Sequence, residues 1–292
     1  MSVNHVRPVR GLAYHVSPRG DSGVGAPDVV LLHGFAGSTR DWERTCEVLG
    51  RAGLRAIAID LPGHGATAAP PDATRYTMAE TAHDLCELLE GLRVRSAHWI
   101  GYSMGSRLAL FVAATRPDRV ESLVLESASP GIEDAAARTA RRASDEALAA
   151  EIVRRGIEWF AEHWGSRPIF DSQRSLSVAA RAALRDRRLR NDPRGLAGSL
   201  RGIGQGAQPW LGDRLADVRC PTLLVTGALD PKYTGLAEFM AARVAHAERV
   251  VVPEAGHNVH LEQPEAYERT LLAHLRPFTR VSPISVPSSL EA

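Results

Sequence analysis

Residues 97–115, AHWIGYSMGSRLALFVAAT, join a short apolar run to a longer amphipathic one across Gly101-Tyr102-Ser103-Met104-Gly105. The first part predicts a strand over 97–102 and the second a helix, with Ser103 at the turn between them. A serine held at so sharp a turn takes a strained backbone conformation, and glycines on either side let strand and helix approach without side-chain collision. The hydroxyl of Ser103 then projects from the sheet edge. A helix start that merely contains Ser and Gly is the plainer reading of the pentapeptide alone, so its weight rests on what else the chain supplies.

A serine hydroxyl is a poor nucleophile or base near neutral pH; it needs an imidazole to take its proton and a carboxylate to hold that imidazole. Both follow in the chain. Asp230 closes Gly227-Ala228-Leu229-Asp230 after the apolar run 221–227 (PTLLVTG), and His257 lies in Ala255-Gly256-His257-Asn258 after 248–252 (ERVVV). Either residue in isolation reads as a turn Asp or a loop His. The order Ser, Asp, His behind a G-x-S-x-G turn is the α/β-hydrolase order. On that reading the backbone N–H groups of Met104, at the helix start, and of Phe35, in His33-Gly34-Phe35, form an oxyanion hole.

Working outward, apolar runs at 28–33 (DVVLLH), 54–60 (LRAIAID) and 120–125 (VESLVL) join the three already named, and amphipathic stretches alternate with them. That rhythm predicts an α/β fold: a mainly parallel central sheet flanked by helices, the α/β-hydrolase fold. Thr77 and Glu80 stand three apart before Leu85, Leu88 and Leu89, a capping box opening one of the helices. Between residues 128 and 212 the alternation gives way to Arg-rich and Ala-rich helical sequence, expected to be an inserted cap. Residues 1–127 and 213–278 then form the core, and the polar, Pro-bearing stretch 279–292 a flexible tail. Arg19-Gly20-Asp21, in a turn between early strands, is a chance match to an adhesion motif.

Composition narrows the function classes. The chain has 292 residues, 35 basic against 34 acidic, so its net charge of +1 sets up no field that would recruit nucleic acid or an anionic membrane surface. No segment is apolar for long enough to insert into a bilayer, and the expected address is cytoplasmic. Cys46, Cys86 and Cys220 are far apart and show no Cys-x-x-Cys pairing, which predicts core thiols rather than a disulfide framework or a zinc site. With no metal cluster and no nucleotide-binding glycine loop, no cofactor is expected. Across residues 131–203, however, fourteen arginines face ten acids with no lysine. This local excess suits a small anionic substrate, because a guanidinium binds carboxylates through a planar fork. Most of those arginines are expected to be solvated helix surface.

From about residue 12 to 277 the chain resembles the 2-succinyl-6-hydroxy-2,4-cyclohexadiene-1-carboxylate synthases. The residues that carry the resemblance are Leu32-His33-Gly34-Phe35 with Ser38 and Trp42, Gly101 to Gly105 with Arg107, Ser129-Pro130-Gly131 before an Arg-rich helix, Asp230 with Lys232, and Gly256-His257-Asn258-Val259-His260. The first and last are generic to the fold. The family commonly continues Gly-Gly-Arg where this chain has Gly105-Ser106-Arg107, a small enough residue for close packing. The resemblance implies a lyase that removes pyruvate from a multiply carboxylated cyclohexene, with Ser103, His257 and Asp230 as a general-base relay. It further implies substrate contacts from Tyr102, Arg107, Arg138, Trp164, Arg188 and Lys232. Each has a plainer reading: a salt bridge for Arg107, exposed helix charge for Arg138 and Arg188, a cap anchor for Trp164, floor packing for Tyr102 and a solvated loop lysine for Lys232. The same triad would serve a serine hydrolase acting on a small ester or a C–C bond, and a non-catalytic receptor could retain the fold. His64 and His260 are expected to be structural.

Overall fold

The structure is a computed structural model that describes residues 5–19 and 25–279. Gly20 and Asp21 of the early turn and the tail from residue 280 lie outside the described residues. Eight strands, β1 (His5–Val9), β2 (Leu12–Arg19), β3 (Asp28–Leu32), β4 (Arg55–Ile59), β5 (Ala97–Tyr102), β6 (Val120–Glu126), β7 (Thr222–Gly227) and β8 (Ala247–Val252), form one sheet in the order β1-β2-β4-β3-β5-β6-β7-β8. From β4 to β8 every pairing is parallel, while β2 runs antiparallel to both β1 and β4. The six apolar runs of the sequence are β3 to β8. The antiparallel hairpin β1–β2 is added at the edge, and Pro8 lies on the outermost strand β1, where an edge strand has spare ladder positions.

The runs of β3 to β7 are continuous because both faces of the sheet are covered there, whereas β8, at the other edge, is mostly exposed. Val30, Leu32, Ile57, Ile59, Trp99, Leu123 and Leu125 point to one face. Their neighbours Val29, Leu31, Ala56, Ala58, Ile100 and Val124 point to the other. Helices α1 (Glu43–Arg51) and α9 (Pro264–Leu275) cover the second face with Cys46, Leu49, Tyr267 and Leu271. Helices α2 (Met78–Gly91), α3 (Met104–Thr115) and α7 (Pro231–Ala241) cover the first with Leu85, Leu108 and Met240. Thr77 caps α2 by accepting from the Glu80 N–H at 3.3 Å. The Glu80 carboxylate pairs with Arg10 at 2.6 Å, so the cap is made from one side.

Between β6 and β7 the chain forms α4 (Ala135–Gly165), α5 (Val178–Leu189) and α6 (Pro193–Ile203). Gly156 breaks α4 with φ +84°, a conformation that costs a residue with a Cβ roughly 1–3 kcal/mol. The break lets the second limb turn Phe160 and Trp164 toward the sheet. Phe160, Ile152 and Ala149 pack with Leu196, Ala197 and Leu200 of α6 and with Ala36 of the core in a third apolar cluster. Helix α8 (Val259–Glu262) follows the His257 loop. Because β3 and β5 to β8 are parallel, the loops after them gather at one edge, and that edge lies beneath the helical insertion. No described helix is long and apolar enough to cross a membrane.

Candidate active site

Ser103 joins β5 to α3 with φ 50° and ψ −103°, the strained turn that the pentapeptide predicts. A Cβ on Gly105 would sit 2.1 Å from the Leu32 carbonyl oxygen of β3, which is why the helix start accepts only glycine there. Ser106, the departure from the family pattern, is fully buried and its hydroxyl donates to the Glu126 carbonyl at 2.8 Å, so the substitution fits the packed elbow.

Asp230 follows β7 and caps α7, Oδ1 accepting from the Tyr233 N–H at 3.3 Å, while Oδ2 stands 2.7 Å from His257 Nδ1. His257 Nε2 lies 3.0 Å from Ser103 Oγ. With Nδ1 donating to the carboxylate, Nε2 is left as the acceptor for the serine proton. Three strand ends therefore deliver one hydrogen-bonded chain, from residues up to 154 positions apart.

The end of β6 braces this chain. The Glu126 carbonyl accepts from the Ser103 N–H at 2.9 Å. Its carboxylate, fully buried, accepts from the His260 N–H at 3.1 Å and holds His260 Nδ1 at 2.7 Å. Ser127 donates to the His257 carbonyl at 2.8 Å. His260 is stacked on Trp42, centroids 4.4 Å apart, in the packing role expected for it. His64 is likewise buried, its Nδ1 3.1 Å from the Pro62 carbonyl and its ring beside Phe35. No sequence spacing pointed to Glu126, which reads as the last residue of a strand.

Ser103 and His257 open into a cavity of about 530 Å³ between the sheet edge and the insertion. Phe35 and Met104 stand in its wall beside Ser103, and Tyr102 lies in its floor at 7% exposure. Trp164 lines the roof and meets Phe35 edge-on with centroids 5.1 Å apart, so it faces the cavity and anchors the insertion at once. Lys232 is exposed and reaches the cavity rim.

Arg107 lies one turn along α3 from Ser103, is 6% exposed and lines the cavity. It makes no salt bridge among the described residues. Its Nη1 donates to the Ile203 carbonyl at 2.7 Å and to Gln208 Oε1 at 3.2 Å, both neutral. Burial brings its guanidinium down to about 10, which still leaves a full positive charge at neutral pH. A buried cation facing a cavity without a counter-ion is a ready site for a carboxylate.

Two expected contacts stand elsewhere. Arg138 does not line the cavity: it curls back to the carbonyls of Ile132 and Glu133 at 2.7 and 3.1 Å, closing the entry to α4. One turn further, Arg141 lines the cavity, with its Nε held 2.7 Å from Asp145. The two arginines share a face of α4, and Arg141, one turn further from the entry at Asp134, is the one that reaches the cavity. Arg188 also lies outside the cavity wall, its guanidinium 5.4 Å from the ring centre of Phe170, which itself packs on His257. Several of the insertion's arginines form surface pairs, among them Arg154–Glu151, Arg174–Asp171, Arg190–Asp186 and Arg201–Glu146. Among the described residues no cluster of metal-ligating side chains occurs.

Residues 27–264 match the family model of the alpha/beta hydrolase fold. A putative 2-succinyl-6-hydroxy-2,4-cyclohexadiene-1-carboxylate synthase from Bacillus subtilis is 40% identical over 88% of this chain and 92% of its own. The 2-succinyl-6-hydroxy-2,4-cyclohexadiene-1-carboxylate synthase of Salmonella paratyphi C is 34% identical over 86% of this chain and 95% of its own. Among solved structures, MenH from S. aureus superposes with a TM-score of 0.86 at 32% identity, over 90% of this chain and 98% of that one. The chain belongs to the α/β-hydrolase fold family and, within it, to the family of 2-succinyl-6-hydroxy-2,4-cyclohexadiene-1-carboxylate synthases.

Proposed function

We propose that the protein eliminates pyruvate from 2-succinyl-5-enolpyruvyl-6-hydroxy-3-cyclohexene-1-carboxylate to give 2-succinyl-6-hydroxy-2,4-cyclohexadiene-1-carboxylate, a carbon–oxygen lyase step of menaquinone biosynthesis. The observation that carries this reading is a hydrogen-bonded Ser103–His257–Asp230 chain opening into the same cavity as a buried, unpaired Arg107. The kinship to the synthases supports it. A cytoplasmic setting goes with the same reading.

The substrate's ring proton at carbon 2 is acidified by the neighbouring succinyl ketone. Ser103 Oγ takes that proton as His257 Nε2 takes the hydroxyl's own, and Asp230 stabilises the imidazolium. Electrons flow from the breaking C–H bond through the ring double bond and expel the enolpyruvyl oxygen, which leaves as the enolate of pyruvate and takes up a proton from the His257 imidazolium, restoring the neutral ring. Negative charge gathers on the ketone oxygen during this step, and the N–H groups of Phe35 and Met104 are the donors assigned to it. No acyl-enzyme forms. Arg107 and Arg141 hold carboxylates of the substrate, with Tyr102, Trp164 and Lys232 shaping the remaining wall, and residues 128–212 act as the cap that closes over it.

Pyruvate release from this substrate is compared for wild type, Ser103→Ala and an enzyme-free blank. Fast release by wild type that collapses to the blank in Ser103→Ala is the expected result. Release no faster than the blank, together with turnover of small esters, overturns the lyase reading in favour of a serine hydrolase using the same triad.

A further inference from the structure

Tyr233 stands three residues beyond Asp230 in α7, is 3% exposed and lines the cavity. Its ring meets His257 edge-on, with centroids 4.4 Å apart. Its hydroxyl oxygen accepts a hydrogen bond from Gln205 Nε2 at 2.6 Å. The orientation of that amide is fixed from the other side: Gln205 Oε1 accepts from Arg141 Nη1, and a guanidinium only donates. Arg141 is in turn held by Asp145, whose other oxygen accepts from the Gly206 N–H at 3.0 Å. Every member of this chain has its donor and acceptor roles settled, up to the phenol. There the oxygen serves as acceptor, and the O–H proton has no acceptor among the described residues. Burial pushes the phenol up from its ordinary value, so it keeps that proton at neutral pH. Arg107 lines the same cavity with a charge equally unmatched.

We infer that Tyr233 is a substrate-binding residue: its O–H, aimed by Gln205, donates to one oxygen of a ligand carboxylate whose other oxygen meets Arg107. A carboxylate satisfies both groups at once, whereas the corresponding ester or amide leaves the guanidinium uncompensated. The site would therefore select acids over their neutral derivatives. The inference rests on the elimination reading for the identity of the natural ligand; the anion subsite itself stands on the geometry.

The test uses 2-succinylbenzoate, an aromatic diacid carrying the same two carboxylates as the ring product, titrated calorimetrically into wild type, Tyr233→Phe and Gln205→Leu. Tyr233→Phe removes one oxygen and keeps the ring against His257. Its Kd is expected to rise about tenfold, which corresponds to about 1.4 kcal/mol. Gln205→Leu is expected to weaken binding as well, because it removes the donor that aims the phenol and also the acceptor that holds Arg141. A Kd in Tyr233→Phe within twofold of wild type, or no binding of the diacid by wild type, overturns the inference. Pyruvate release separates the two readings. Wild type that releases no pyruvate but binds the diacid through Tyr233 refutes the reaction and sustains the subsite. Fast release with Tyr233→Phe binding like wild type does the opposite.

Discussion

Replacing Arg107 by Met tests whether a side chain at the centre of the cavity serves the ligand or the fold. Burial brings the guanidinium down to about 10, well below its ordinary value, and at about 1.4 kcal/mol per pKa unit the charge costs the folded state about 3 kcal/mol. Met removes that cost and fills much the same volume. It leaves the Ile203 carbonyl and Gln208 Oε1 without their donor, each worth roughly 1–3 kcal/mol. The opposing effects nearly cancel, so the unfolding free energy in urea, followed by circular dichroism, is expected within about 2 kcal/mol of wild type. Catalysis has no such compensation. A charge-assisted hydrogen bond to a substrate carboxylate is worth about 1.5–3 kcal/mol, which corresponds to a fall of roughly 10- to 150-fold in kcat/KM for pyruvate release. A stability loss of 3–5 kcal/mol, the signature of a broken buried ion pair, would show that the residue holds the fold. An unchanged kcat/KM would remove it from the substrate site.

On α4, Arg141→Ala is expected to raise KM for pyruvate release roughly tenfold or more, by the loss of one charged contact, while Arg138→Ala stays within twofold of wild type; equal effects would sink the choice of Arg141 over Arg138. Acid stability reports His64, whose burial holds its pKa at about 3. The unfolded chain takes up this proton near pH 6.5 and the folded chain refuses it until about pH 3, so stability falls as pH falls through that window, by roughly 1.4 kcal/mol per pH unit from this group alone. In His64→Gln the urea midpoint should decline less steeply between pH 6 and pH 4.5 than in wild type. Parallel declines would show that the ring is protonated in the folded state.

What could be read from residues alone follows local rules. Gly101 and Gly105 flank a serine because strand and helix touch there, and that demand is written in five consecutive letters. The strands β3 to β7 were legible because sheets covered on both faces need unbroken apolar runs, and the mostly exposed edge strand β8 was legible from its three consecutive valines. The hairpin β1–β2 was not, since an edge strand alternates polar and apolar residues and tolerates proline, a pattern shared with loops. Thr77 was legible as a cap, but its partner Glu80 was drawn to Arg10, a residue 70 positions away that no local pattern includes.

The cavity beside Ser103 shows the same division more sharply. That Arg107 shares it was legible because one helical turn from Ser103 is a local distance. Arg138 and Arg141 stand one turn apart on one helix face, and which of them meets the cavity depends on where the entry to α4 and its packing against α6 set that face along the cavity. Gln205, Tyr233 and Glu126 carry no signature at all; each acquires its role only when another segment is brought against it. The sequence by itself determined the fold and the order of Ser103, Asp230 and His257 along it, because these obey constraints between neighbours in the chain. Tertiary structure alone decided which cations lose their counter-ions and which donors lose their acceptors, because burial and pairing are properties of segments that meet across the fold.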